Sequence, residues 1–163
     1  MHCPNFLNRL LVLTAIVFVA GATVAMSADD PQPLALNQVP KAVRDAVMKR
    51  FPEAKPQSAA QGTEDNRPYI DVIILVKTQK IWVTCDPDGT IRVVDREISV
   101  KDLPQQVATT LNKKYPAATI RLVNEITEDS APVYDIAITI NKKNLIATFA
   151  ASGEFLEELD DEL

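Results

Sequence analysis

The sequence predicts an α+β fold of two tandem repeats, each with one helix packed on a small antiparallel sheet of three to four strands. Two observations lead to this prediction. Residues 36–99 align without a gap with residues 100–163 when the chain is shifted by 64 positions. Within each copy, the apolar residues change from a helical spacing to a strict alternation. The predicted domains are therefore repeat 1 at 36–99 and repeat 2 at 100–163.

Each copy begins with a predicted helix. Prolines at 40 and 104 suit the first helical position, where a missing N–H costs nothing. Prolines at 52 and 116 end the helices, because the residue before a proline avoids the helical region. The apolar stripes between these prolines are Val43, Val47 and Phe51 in the first copy and Val107, Leu111 and Tyr115 in the second.

Strands follow each predicted helix. Turns at Asp88-Gly89 and Ser152-Gly153 separate apolar runs, as in hairpins whose glycine takes a positive φ. One helix laid over such strands buries one face of a sheet and leaves the other uncovered. The alternating core-side residues are Ile70, Val72, Ile74 and Val76 in the first copy and Tyr134, Ile136, Ile138 and Ile140 in the second.

The N-terminus has the pattern of a secretory signal peptide. Arg9 precedes an uncharged, largely apolar run over 10–24, and small residues follow. Cleavage after Ala25, Ser27 or Ala28 stays open. A retained membrane anchor is the alternative, but the run is shorter than the roughly 20 residues that span hydrocarbon. We therefore expect a signal peptide at 1–28, a flexible lead-in at 29–35, and a periplasmic or secreted protein with no membrane association after cleavage.

Composition excludes several classes of function. The net charge of −5 and the pI of about 4.9 argue against nucleic-acid partners. Removing the signal peptide removes His2 and Cys3, which leaves Cys85 as the single cysteine and no histidine. An intramolecular disulfide, zinc sites of His and Cys, and Ser-His-Asp or Cys-His catalytic groups are then impossible. We expect no enzyme, no metal and no cofactor, with stability coming from a packed core.

The motifs resemble those of the PepSY-like family, and the tandem arrangement resembles its beta-lactamase-inhibitor-like branch. The resemblance is carried by Val39-Pro40, Val43, Phe51-Pro52-Glu53-Ala54 and Asp86-Pro87-Asp88-Gly89 in the first copy. The second copy has Leu103-Pro104, Val107, Tyr115-Pro116-Ala117-Ala118 and Ser152-Gly153. The resemblance implies an exported module that binds without catalysis, since some relatives bind or inhibit enzymes through the sheet.

The face of the predicted sheet opposite the helix is the candidate binding site. Side chains that alternate with the core residues should face outward there, and aromatic residues are typical interface anchors. Two readings stay open: this face binds an unidentified protein partner, or it packs against the other repeat or a second copy of the chain. The corresponding functions are an inhibitor-like module for an exported enzyme and a self-associating envelope protein. The predicted partner-binding residues are Tyr69, Ile73, Leu75, Trp82 and Val94.

Two further features have competing interpretations. The segment Asp86-Pro87-Asp88-Gly89, together with Asp95, has oxygen ligands at some positions of a calcium loop, but a plain hairpin turn is favoured because strands flank it. Cys85 occupies a core-facing strand position, which favours a buried small hydrophobe over a reactive thiol.

Overall fold

The computed structural model describes residues 31–128 and 131–161, where nine strands form one continuous antiparallel sheet. The strands follow each other in the sheet in chain order, and every neighbouring pair is antiparallel. The predicted signal peptide at 1–28 lies outside the described residues. None of the helices within them is long and apolar enough to cross a membrane.

The sheet and its helices have the following bounds. Short 3-10 turns at Leu36–Gln38 and Val100–Asp102 precede the helices. The helices are α1 (Lys41–Arg50) and α2 (Gln105–Lys114). The strands are β1 (Gln32–Leu34), β2 (Lys55–Glu64), β3 (Arg67–Val76), β4 (Gln79–Cys85), β5 (Ile91–Glu97), β6 (Thr119–Glu128), β7 (Ala131–Ile140), β8 (Lys143–Ala150) and β9 (Phe155–Asp160).

The predicted fold class, two repeats of a helix on a separate small sheet, is wrong. Strand β5 pairs with β6 from Val93↔Glu128 to Glu97↔Asn124, and this ladder joins the strands into one nine-stranded sheet. Separate sheets would leave β5 and β6 as edges with unpaired backbone groups, which are prone to associate with other chains. Pairing within the chain removes both edges. The division at 99/100 stays a prediction.

The lead-in also differs from its prediction. Residues 29–35 were expected to be a flexible tether, but Gln32–Leu34 form β1 and pair with Ala59, Ala60 and Gln61 of β2. Leu34 packs against the apolar cluster beneath α1. The contact of this leucine with the core explains why so short a segment adds a strand to the sheet edge.

The helices form where the prolines predict them. Pro40 and Pro104 are the N-caps, so each helix begins one residue later than expected. Both helices end before the second proline, at the C-caps Phe51 and Tyr115, whose backbone is no longer helical. The helical part of each predicted stripe is confirmed as buried: Val43 and Val107 are completely inaccessible, and Val47 and Leu111 nearly so. At the helix ends Tyr115 is buried, whereas Phe51 is only partly buried.

Two apolar clusters lie on one side of the sheet, one beneath each helix. The first joins α1 to core-side residues of β2–β5, and the second joins α2 to those of β6–β9. A polar seam lies between them, where the Arg96 guanidinium donates to Glu125 Oε1 at 2.7 and 2.9 Å. Tyr134 Oη donates to the other oxygen of Glu125 at 3.3 Å. The register places Arg96 opposite both Ile81 and Glu125, so both helices cover the same face.

Two glycines close hairpins against the helices. Gly89, between β4 and β5, has φ +93°, and Gly153, between β8 and β9, has φ +86°, which confirms the predicted positive φ. A Cβ at Gly89 would lie 2.6 Å from the carbonyl oxygen of Ala42 in α1. At Gly153 the corresponding distance is 2.7 Å, to the carbonyl oxygen of Gln106 in α2. Each turn therefore needs glycine for its conformation and for its close approach to a helix.

We predict that Gly89→Ala lowers the free energy of unfolding by about 1–3 kcal/mol, because it adds a strained φ and a clash with backbone. Urea unfolding followed by tryptophan fluorescence measures this loss. Lys77→Gly is the control, since Lys77 has φ +56° without that contact, and we expect a change below about 1 kcal/mol. Equal stability of wild type and Gly89→Ala would contradict the packing of this turn on α1.

Candidate binding face

The face opposite the two helices, called here the helix-free face, runs without a break from β2 to β9. Directly opposed residues of neighbouring strands point to the same side of a sheet. The register pairs Ile73 with Trp82, Trp82 with Asp95, and Asp95 with Ile126. These four residues form a row across β3–β6, called here the central row, which crosses the junction between the two halves of the sheet.

Four of the five predicted binding residues lie on this face. Tyr69 and Ile73 are 2% and 8% exposed, and Leu75 and Trp82 are partly exposed. Trp82 therefore lies away from α1, as predicted. The structure brings Ile73 and Trp82 together in the central row, with Leu75 opposite Lys80 one position farther along.

Val94 lies on the other face, so its predicted place on the helix-free face is wrong. A bulge in β5 leaves Arg92 without a partner: Cys85 pairs with Ile91, whereas Thr84 pairs with Val93. The extra residue reverses the alternation expected from the sequence. Val94 consequently pairs with Val83 and packs against the cluster beneath α1, while Val93 and Asp95 occupy the helix-free face.

The helix-free face is more buried than a sheet surface without a covering layer normally is. In the central row, Ile126 is 3% and Asp95 is 5% exposed. Strands β2, β5, β6 and β9 carry register shifts that bend a sheet. The burial of Ile126 and Asp95 shows that side chains of neighbouring strands shield one another on this face.

Tyr69 is buried by packing along its own sheet. It lies opposite Gly62 of β2, and a Cβ at that glycine would come within 2.5 Å of the Tyr69 ring carbon Cζ. The ring therefore covers the glycine backbone. This contact makes Tyr69 part of the scaffold of the face, which reduces the area it can offer to a partner.

Three aspartates on alternate strands add polarity that the predicted apolar patch lacks. Asp71 on β3 accepts a hydrogen bond from Thr84 Oγ1 at 2.6 Å. Asp135 on β7 accepts one from Thr148 Oγ1, also at 2.6 Å. Burial raises the pKa of the Asp135 carboxyl, and the Thr148 hydrogen bond opposes that rise. Asp95 on β5 lies between these two pairs.

Asp95 and Trp82 have buried polar atoms that lack hydrogen-bond partners among the described residues. These atoms are Asp95 Oδ1 and Trp82 Nε1. Burial, followed by the negative charge of Asp135, raises the pKa of the Asp95 carboxyl to about 7. A buried acceptor without a donor carries its full desolvation penalty. The sequence analysis considered Asp95 only as part of a calcium-type loop and missed its place on this face, because a polar residue at an outward position is ordinary unless its burial is known.

The two residues that lie 64 positions after Trp82 and Asp95 are both apolar, so they bury no unpartnered polar atom. Ile146 on β8 is directly opposite Leu159 on β9, at the positions that correspond to Trp82 and Asp95. Strands β8 and β9 thus pair with two apolar residues at these positions. The polar pair Trp82 and Asp95 is therefore not required for pairing of the strands.

The other candidate groups have structural explanations. Burial, reinforced by Asp71 and Asp86, raises the pKa of the Cys85 thiol to about 12, so it is not a reactive thiolate. Gly89 N donates to Asp86 O at 2.9 Å in a tight hairpin turn, as favoured from the sequence. The Asp86 carboxylate is 3.2 Å from Arg92 Nε. No group of three His, Cys, Asp or Glu within 31–128 and 131–161 could hold a metal ion.

Three solved structures from Bacteroides have a similar fold. A protein from Bacteroides eggerthii named as periplasmic has a TM-score of 0.63 at 16% identity, covering 75% of this chain and 88% of its own. A DUF2874 family protein from Bacteroides uniformis has a TM-score of 0.63 at 14% identity, covering 74% and 88%. A BLIP-like protein from Bacteroides fragilis has a TM-score of 0.61 at 18% identity, covering 76% and 89%.

No protein-family model matches the chain. No curated protein matches it either. At these identities the likeness concerns the fold, which is BLIP-like. The beta-lactamase-inhibitor-like part of the predicted resemblance is supported in this sense, and the PepSY part stays a prediction. The periplasmic naming of the neighbours agrees with the export predicted from the N-terminus.

We predict that Asp95→Leu raises the free energy of unfolding near pH 8 by up to about 4 kcal/mol, because it removes a buried carboxylate. The folded-state pKa of Asp95 is raised, so its ionisation lowers stability progressively as pH rises from about 4 to about 7. Urea unfolding at pH 5 and pH 8 should therefore show a larger gain at the higher pH.

The control for this comparison is Asp45→Leu on the exposed side of α1, where the Asp45 side chain is 62% exposed. We expect a change below about 1 kcal/mol at both pH values. An equal loss of stability by Asp95→Leu at pH 5 and pH 8 would mean that the carboxylate is satisfied in the folded protein.

Proposed function

We propose that this protein is a periplasmic, non-catalytic binding module that holds a protein partner on its helix-free face. The observation that carries the proposal is the pair of unpartnered polar atoms, Trp82 Nε1 and Asp95 Oδ1, at adjacent positions of the central row. Both atoms are buried in the free chain, so a partner would have to displace the side chains that cover them before it supplied the missing hydrogen bonds. Such a gain favours the complex over the free protein.

The surroundings of this pair suit a protein interface. Trp82 is partly exposed beside Ile73 and Leu75, which supply apolar area around a polar centre. Tryptophan is strongly enriched among residues that dominate binding energy, especially where neighbouring groups exclude water. The part of the helix-free face on β7 and β8 offers a partner less apolar area than the part around Trp82. Its residues are smaller or more polar, as at Ala137, Thr139 and Thr148.

Charge favours a different protein over a second copy of this chain. In a twofold dimer the same patch faces itself. Pairing through the centre of this face would bring Asp71, Asp95 and Asp135 toward their own copies, and like charges in a buried interface are unfavourable. Self-association, the alternative function, is therefore the less favoured one.

Inhibition of an exported enzyme is the narrower form of this proposal. The BLIP-like neighbour supports the fold that such a role would use, and the sheet face offers the surface. We expect any enzyme captured by this face to lose activity when it is titrated with the wild-type protein. If the captured enzyme keeps full activity when it is saturated with the wild-type protein, the protein binds that enzyme but does not inhibit it.

We predict that Trp82→Ala weakens partner binding by about 2 kcal/mol or more, roughly 30-fold, with the fold intact. Immobilised wild type and variant are compared as baits for the periplasmic fraction of the source organism. The captured protein is then purified and its affinity is measured by calorimetry. Thermal unfolding of both baits shows whether the fold is intact.

Met48→Ala is the matched control, because Met48 is a large hydrophobic residue that is 40% exposed on α1. It should retain the partner. Equal capture by wild type and Trp82→Ala would contradict the proposal. A wild-type dimer in light scattering that becomes monomeric on Trp82→Ala would support self-association instead.

A further inference from the structure

We infer that the partner group received at the central row is a positively charged side chain, a lysine or arginine, held between the Trp82 indole and the Asp95 carboxylate. The inference rests on the proposed function and specifies its chemistry. It concerns one buried acceptor, one aromatic ring and the charges around them. Each of these observations points to the same kind of group.

The first observation is the unmet acceptor. Asp95 is 5% exposed, and its Oδ1 lacks a donor among the residues that the structure describes. Trp82 is directly opposite and has a free indole N–H, yet the two groups do not bond to each other. A donor from outside the chain is therefore needed at Asp95. Lysine and arginine are donors without acceptor atoms, which suits an ionised carboxylate.

The second observation is the surplus of negative charge around this acceptor. Asp71 and Asp135 lie on the same face, and each is already hydrogen-bonded to a threonine. They add negative potential without using the free oxygen of Asp95. A neutral donor would leave that potential uncompensated, whereas a cation would offset it. Charge-assisted hydrogen bonds are also about twice as strong as neutral ones.

The third observation is the aromatic neighbour. Indole is the strongest of the aromatic side chains at attracting a cation to its ring face. Trp82 is partly exposed directly opposite the buried carboxylate. Displacement of the indole would open Asp95 Oδ1 to a long basic side chain, whose stem would then cover the ring. A metal ion is disfavoured, because the described residues offer no group of three suitable ligands.

The fourth observation is that the sheet does not need this polar pair. Ile146 and Leu159 occupy the same register 64 residues later. The chain therefore carries a carboxylate with one oxygen that lacks a donor, at a position where an apolar residue can stand. A stability penalty of this kind is common at binding sites, where function uses the group that the fold does not.

The test is a titration of the ¹⁵N-labelled protein with Nα-acetyl-arginine methylamide, followed by NMR at pH 8. Nα-acetyl-citrulline methylamide, the neutral isostere, is the control probe. The chain has one tryptophan, so the indole N–H signal reports on Trp82 alone. We expect saturable shifts at this signal and at the amides of Asp95 and Ile126 with the arginine probe, and at least tenfold weaker binding of the citrulline probe.

Two variants connect the shifts to the carboxylate. Asp95→Asn should weaken binding of the arginine probe at least tenfold. Asp45→Asn, on the exposed side of α1, should bind like wild type. Backbone spectra of both variants check that they are folded. Equal shifts with both probes, no shifts with either, or arginine shifts that persist in Asp95→Asn would each overturn the inference.

The pH dependence gives an independent readout. Because the pKa of Asp95 is about 7, protonation of its carboxylate should weaken arginine binding about tenfold as the pH falls from 8 to 6, while citrulline binding stays unchanged. If Asp95→Asn removes the pH dependence of arginine binding, that dependence arises from the Asp95 carboxyl. If the variant leaves the pH dependence of arginine binding unaltered, the assignment to Asp95 is contradicted. The other charged groups that the register places toward Asp95 are Asp71, Lys80, Glu97, Glu128 and Asp135.

A captured partner separates this inference from the proposed function. One result is that Trp82→Ala abolishes partner binding while Asp95→Asn leaves it unchanged. In that case the helix-free face binds the partner, but the inference that the partner supplies a cationic group at Asp95 is wrong. If neither variant alters binding, the face itself is wrong. The proposed function and the cationic group are both supported by a third result. Asp95→Asn weakens binding at least tenfold, and removal of one lysine or arginine from the partner weakens binding equally. Combining the two changes then causes no further loss of affinity.

Discussion

The backbone ladder between β5 and β6 is the interaction on which the rest of the structure depends. Its register, from Val93↔Glu128 to Glu97↔Asn124, joins two sets of strands that would otherwise end in open edges. It also aligns the two halves so that both helices cover one face. Arg96 and Glu125 reinforce the ladder on that side, where they separate the two apolar clusters. The opposite face is left as one surface that crosses the junction.

That surface combines burial with polarity in a way that a purely structural sheet would avoid. Asp71 and Asp135 have hydrogen-bond donors on the neighbouring strand, whereas Asp95, at the centre, has an oxygen without one. The contrast with Ile146 and Leu159 shows that the strand pairing itself does not require a carboxylate. In the proposed binding function, a complex would recover the stability that this site costs the free protein.

Local sequence patterns correctly predicted many of the residues on the helix-free face but not all of those at its centre. Alternation along β3 and β4 placed Tyr69, Ile73, Leu75 and Trp82 on the correct side, because these stretches pair without a bulge. It failed at Val94, where Arg92 is an extra residue in β5. A bulge is recognised from the pairing of two strands, and the sequence of one strand does not contain that information.

The sequence by itself determined the helices, their ends and the hairpin turns, because prolines at 40, 52, 104 and 116 and glycines at 89 and 153 act on the backbone next to them. Tertiary structure alone decided that the strands form one sheet and that Asp95 is buried. Backbone hydrogen bonds between strands are nearly independent of side-chain identity, so the sequence does not mark which edges will meet. Burial of an outward residue depends on side chains from neighbouring strands, which lie far along the chain.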